Sequence, residues 1–310
     1  MMDTQKLNIV KKIIWLRLAQ VLVNQRYKNG DFKIPIHLAL GHETIAVSVD
    51  AAMHEQDDLF LTHRNVHYNL ARMGTLKEEL DEYYLKESGL AEGHLGSMNL
   101  SNPEKHVIYS SSILGNNLPV GSGFALGNKA KNKDGVVFIV TGDGALEEGA
   151  FYETLLFLSA NMLPVVIIVE NNEWSLGTKI DERRNKIDLK KLTDSVGVDY
   201  LSLQNNDPFD YLDKLESCRT NTLASKVPIL VEVKLTTLGY WYLKNKDNPE
   251  GKFINYHAGP APEVEEKKDE YPMILSSNGD PLFPLTKYLS MADLIEFSNE
   301  LTEKLKEELS

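Results

Sequence analysis

A single cysteine, Cys218, stands among 310 residues. No disulfide can form within the chain, and a reducing compartment is the expectation. Basic runs are equally scarce. Lys and Arg number 33 against 45 Asp and Glu, for a net charge of −12, and no block of five or more basic residues occurs. A protein that grips a phosphate backbone carries a basic stripe, so nucleic acid is not an expected partner. Long apolar runs are missing too. The most apolar N-terminal stretch, Ile13 to Val23, is broken by Arg17 and Gln20 and is too short to span a bilayer. No small-residue cleavage site follows it, so neither a signal peptide nor a membrane partner is expected, and the cytoplasm is the expected location. Repeats and low-complexity linkers are also lacking. What remains, 42% hydrophobic and 25% charged residues, is an ordinary globular balance with ample material for a core.

Hydrophobic spacing organises the chain. Leu7, Val10, Ile14, Leu18 and Leu22 recur at three- and four-residue steps, which predicts a helix over 4–28. Helices are also expected over 42–54 and 75–87. Three continuous apolar runs, 136–140, 165–169 and 229–233, are rich in β-branched residues and suit strands covered on both faces. Between the first two, Phe151, Leu155 and Leu158 line one face of an expected helix, 146–161. A strand–helix–strand unit of this kind predicts an open, mainly parallel α/β sheet flanked by helices, with ligands at the carboxyl ends of its strands. The domain expected is 1–261. The charge-rich remainder, 262–310, with a helix over 291–308, reads as an appendage for packing or assembly.

Those strand ends carry the polar residues of interest. Thr141-Gly142-Asp143-Gly144-Ala145 follows the first strand and Glu170-Asn171-Asn172 the second. Asp143 and Asn172 therefore offer hard oxygen ligands, the type that Mg²⁺ takes and shares with phosphates. Gly142 and Gly144 remove side chains where a diphosphate would approach the backbone, and the following helix offers its positive end. A Gly-Asp-Gly turn alone is common; Asn171-Asn172 closing the next strand makes it specific.

Gly142 to Gly177 resembles the thiamin-diphosphate motif, a Gly-Asp-Gly followed one helix later by Asn. Further segments resemble the α subunit of the decarboxylase component of 2-oxoacid dehydrogenases, the pyruvate, acetoin and branched-chain type. They include His37-Leu38 with Gly41-His42-Glu43, Gly93 with Gly96-Ser97-Met98, Gly149 with Glu153, Leu163-Pro164, and Gly177-Thr178. The resemblance covers roughly residues 30–240 and implies thiamin diphosphate and Mg²⁺ as cofactors. Carried over residue by residue, it assigns Asp143, the Asn172 side chain and the Trp174 carbonyl to the metal. Gly142, Gly144 and Ala145 fall at the diphosphate, as do His63 and Arg64, whose guanidinium can fork onto phosphate oxygens. In the segment Ser112-Ile113-Leu114-Gly115, Ser112 falls beside the cofactor and Leu114 at the apolar wedge between its two rings.

Histidines mark departures from that pattern. The family's substrate-side His falls at Val66, with His67 one residue later. After Val233 the family has a His-rich loop, whereas this chain has Thr236-Thr237-Leu238-Gly239-Tyr240-Trp241 and then His257-Ala258-Gly259. That stretch, with His94 in Gly93-His94-Leu95-Gly96, is similar to the cofactor half of a transketolase. His67, His94 and His257 are thus the candidates for proton handling or substrate binding. The resemblance also implies a glutamate on a pyrimidine-binding domain. One chain holding both domains needs roughly 500 residues or more. A β-type partner chain, in an α₂β₂ assembly, is therefore expected. Decarboxylation of a 2-oxoacid with acyl transfer is the leading reading. Ketol transfer by a split transketolase-like pair and a non-catalytic scaffold are the alternatives.

Overall fold

The computed structural model describes residues 3–244, 246, 248–261 and 271–310. Two helices open the chain, α1 (Thr4–Lys28) and α2 (Glu43–Ala52), followed by strand β1 (Asp58–Thr62) and helices α3 (Val66–Met73) and α4 (Lys77–Tyr83). Strand β2 (Val107–Ser111) and helix α5 (Asn117–Ala130) lead into β3 (Val137–Gly142), α6 (Gly149–Ala160) and β4 (Val165–Asn171). The two-residue strands β5 (Trp174–Ser175) and β6 (Thr178–Lys179) form a small hairpin before α7 (Ile180–Arg183) and α8 (Leu189–Val196). Then come β7 (Asp199–Leu203), α9 (Pro208–Ser225) and β8 (Ile229–Lys234), an antiparallel pair β9 (Tyr240–Leu243) and β10 (Lys252–Asn255), and α10 (Met291–Leu309).

Six strands make one wholly parallel sheet in the order β2-β1-β3-β4-β8-β7. The α/β reading from the apolar runs holds, and the reason is visible in the alternation. Phe138, Val140, Val166, Ile168, Val231 and Val233 enter one core cluster with α1, α2, α9 and α10. Val137, Ile139, Val165, Ile167 and Val169 enter the other, with residues of α5, α6 and α8. Both faces are covered, so residues pointing to either side of these strands are mostly apolar. The chain runs from β1 outward to β2 and returns on the other side of β1 as β3, which puts a topological switch between β1 and β3.

Two helices differ from the spacing-based expectation. Residues 143–147 form a tight 3₁₀ turn, and α6 starts only at Gly149. The helix expected over 75–87 ends at Tyr83 because the next residues wrap around Glu82. Its buried carboxylate accepts from the backbone N–H groups of Ala91, Gly93, Leu95 and Gly96 at 2.8–2.9 Å. Gly93 has φ +75°, and a Cβ there would lie 2.6 Å from the Leu85 backbone.

The expected C-terminal helix forms as α10, and it packs on α1. Tyr271, Leu282 and Leu285 enter the same core. Arg17, fully buried, binds both Glu43 (Nε to Oε1, 2.6 Å) and Asp280 (Nη2 to Oδ1, 2.9 Å). Residues 262–270 of the expected appendage lie outside the described residues. Among the described residues no helix is long and apolar enough to cross a membrane.

Candidate active site

A cavity opens at the carboxyl ends of β1, β2, β3 and β4, beside the switch point. Its wall includes Thr62, His63 and Arg64 at the end of β1, Ser111 to Gly115 apart from Ser112 at the end of β2, Gly142 to Ala145 at the end of β3, and Glu170, Asn172 and Trp174 at the end of β4. His257 closes it from the segment after β10. Sequence separations of up to about two hundred residues are thus collapsed into one site by the parallel sheet.

Arg64 is the unusual charge. It is 9% exposed, and its guanidinium donates to the carbonyl oxygens of Leu38 and, at 3.0 Å, of His257. Among the described residues no carboxylate lies within ion-pairing distance of it. A buried cation without an acid is costly unless an anion arrives. Around it stand His37, His63 and His257, with ring centroids 4.6–5.7 Å apart. Burial, reinforced by the Arg64 charge, holds all three neutral, at about 2, 3 and 4 respectively. His37 Nδ1 is buried and unpartnered.

On the opposite wall Asp143 is 2% exposed, and its Oδ2 receives Arg183 Nη2 at 2.8 Å. Burial pushes its carboxyl up to about 6 against the pull of Arg183 and Arg184. Asn172 Oδ1 accepts from the Trp174 N–H at 3.0 Å, and its Nδ2 donates to Thr237 Oγ1 at 2.6 Å. Carboxylate and amide oxygens are the donors that hard divalent cations take. The two glycines differ in purpose. A methyl on Gly142 would meet nothing, whereas one on Gly144 would strike Ser175 Oγ at 2.5 Å. Gly144 therefore lets the β5 hairpin close over the turn.

Of the residues singled out in the sequence, the cavity gathers His63, Arg64, Leu114, Gly142, Asp143, Gly144, Ala145, Asn172, Trp174 and His257. Three stand elsewhere. Ser112 is exposed, and its neighbour Ser111 lines the wall instead, its Oγ accepting from the Ile113 N–H at 3.1 Å. His94 is exposed on the loop that Glu82 gathers. His67 is fully buried behind the wall, its Nε2 3.0 Å from Glu170 Oε1. Burial lowers its pKa, with Glu170 opposing. Spacing did not reveal the roles of Thr237 and Arg183, because both act across long loops. The Gly41-His42-Glu43 and Glu170 segments were visible as motifs, but not as partners of each other.

Fold and cavity define an α/β protein with an open site at the carboxyl ends of a parallel sheet. The family model for the dehydrogenase E1 component matches residues 16–237, and the chain belongs to that family, whose enzymes depend on thiamin diphosphate and work with a β partner. The pyruvate dehydrogenase E1 component subunit alpha of Rickettsia bellii is 28% identical over 304 residues, covering 96% of this chain and 87% of the relative. That of Zymomonas mobilis is 25% identical over 307 residues, covering 97% and 82%. Among solved structures, transketolase from Campylobacter jejuni superposes with a TM-score of 0.62 at 18% identity over 99% of this chain, which spans 49% of that one. This second likeness is one of fold.

Proposed function

We propose that the chain supplies the diphosphate-binding half of an enzyme that decarboxylates a 2-oxoacid and passes on the acyl unit, with a β-type partner completing an α₂β₂ assembly. The carrying observation is Arg64, a buried guanidinium without an acid, across one cavity from the oxygen donors Asp143 and Asn172. Arg64 and His63 hold the diphosphate, and the backbone at Gly142, Gly144 and Ala145 lies along it. Asp143, the Asn172 amide oxygen and the Trp174 carbonyl hold Mg²⁺. Thiamin diphosphate, when bound, supplies the carbanion that attacks a substrate carbonyl. Leu114 wedges against the bound cofactor from the cavity wall. His257, neutral at working pH, hydrogen-bonds a substrate oxygen. Ile113, Leu114 and Leu176 line the cavity yet are 68%, 43% and 67% exposed, which supports a partner chain covering the mouth.

Ketol transfer is the second reading. It is favoured by the three neutral imidazoles, which suit hydroxyl groups as well as a carboxylate. The test is to purify the chain with its partner, add thiamin diphosphate and Mg²⁺, and follow CO₂ from a panel of 2-oxoacids beside aldehyde from ketose phosphates. CO₂ release supports the first reading. Aldehyde without CO₂ overturns it in favour of the second.

A further inference from the structure

Asn172 can serve a cation only through its oxygen. An amide rotated by half a turn presents N–H groups and repels the ion. What holds the amide in one sense is a pair of hydrogen bonds, one at each end. Asn172 Nδ2 donates to Thr237 Oγ1 at 2.6 Å, and the same hydroxyl lies 2.8 Å from His42 Nε2. Thr237 Oγ1 thus sits between the Asn172 amide, from which it accepts, and the His42 ring. On the far side of that ring, His42 Nδ1 lies 3.1 Å from Glu170 Oε2 without a hydrogen bond to it. Glu170 Oε1 in turn takes His67 Nε2 and the Tyr68 hydroxyl, each at 3.0 Å. The Thr237 hydroxyl at one end and the Trp174 N–H at the other thus aim the amide. Turning Asn172 over would set its N–H₂ against the Trp174 N–H.

The backbone makes this contact close. Gly41 has φ +97°, and a Cβ there would fall 1.9 Å from the Thr236 carbonyl oxygen. The Leu238 N–H donates to the Leu40 carbonyl at 2.7 Å, and Asn255 Nδ2 holds the Thr237 carbonyl at 2.8 Å. Thr237 is 1% exposed and does not line the cavity.

We infer that Thr237 is a positioning residue for the cation, acting through Asn172. This rests on the proposed assignment of Asp143 and Asn172 to the metal. The test uses the chain with its β-type partner and thiamin diphosphate, with Mn²⁺ as the probe and free Mn²⁺ read by electron paramagnetic resonance. Thr237→Val and Thr237→Ala should weaken Mn²⁺ binding about tenfold or more, the usual effect of losing a partner that orients a ligand. Thr237→Ser, which keeps the hydroxyl, should restore it, and the melting temperatures of the cation-free complexes separate lost orientation from lost folding. Wild-type affinity in whichever of the Val and Ala variants folds, with binding lost in Asp143→Asn, overturns the inference and leaves the metal assignment standing. Wild-type affinity in Asp143→Asn overturns both.

Discussion

Arg64 Nη2 donates a 3.0 Å hydrogen bond to the carbonyl oxygen of His257, a residue 193 positions further along the chain. The bond satisfies a donor without adding a counter-charge, and Glu170 acts on the guanidinium only through space. The bond also seats His257 on the cavity wall beside His63 and His37. The same contact therefore prepares an anion site and brings a neutral imidazole to it.

Replacing that cation should have opposite effects without and with the cofactor. Arg64→Met removes an unpaired buried charge, so the cofactor-free complex should melt at the same or a higher temperature. Thiamin diphosphate affinity should fall by on the order of 2 kcal/mol, about thirtyfold, for loss of charged hydrogen bonds. Calorimetric titration checks the second part, and unchanged affinity would remove Arg64 from the diphosphate.

Leu114 is 43% exposed, so Leu114→Ala should cost little stability, roughly 1 kcal/mol or less. Its effect should fall on turnover, with cofactor affinity nearly intact, because the wedge shapes the bound cofactor rather than anchoring it. Steady-state kinetics beside a binding isotherm separates the two, and wild-type turnover would end the wedge assignment.

Acid should loosen the site through His37. Burial, with Arg64 second, lowers its pKa from 6.5 to about 2, so the folded form keeps it neutral. The unfolded chain binds a proton below 6.5. The contribution of a neutral His37 is therefore whole above that pH and is lost as pH falls from 6.5 toward the folded value. Between about pH 5.5 and pH 4, His37→Asn should flatten the fall of stability by up to about 1.4 kcal/mol per pH unit, one proton's worth. Urea titrations at several pH values give the slopes, and parallel slopes would mean that His37 titrates normally.

Asp280 ties residues 271–310 to the first helix. Its carboxylate meets Arg17 and accepts from the N–H groups of Ile274, Leu275 and Leu282 at 2.6–3.0 Å. Asp280→Ala strands a fully buried arginine that keeps only Glu43 and the Pro272 carbonyl, and should cost roughly 3–5 kcal/mol. Limited proteolysis should then cut first within 271–289, while a wild-type digestion pattern would show that the segment holds by its apolar contacts alone.

Much of the architecture could be read from the order of residues. An apolar run such as 165–169 has no polar position to turn outward, so it requires cover on both faces, and the neighbouring turn residues place the ends. β1, β2 and β7 escaped notice because their edges are mixed in character: β1 is flanked by Asp58 and Thr62, and β7 exposes Asp199. The site divides in the same way. Gly142 to Ala145 and Asn172 sit at strand ends, where the sheet alone brings them together, and local pattern finds them.

The histidines obey a different rule. His63 and His67 are four residues apart, yet α3 begins between them and turns His67 inward to Glu170, whereas His63 stays on the wall. His94 is carried off by the loop that folds around the Glu82 carboxylate, and His257 is brought in by Arg64. By itself the sequence determined the layered sheet, the polar residues at the strand ends and the family. Only the tertiary structure decided which imidazoles face the cavity and how Asn172 is held. Those outcomes depend on hydrogen bonds whose two partners lie far apart in the chain, and no local spacing encodes where such partners meet.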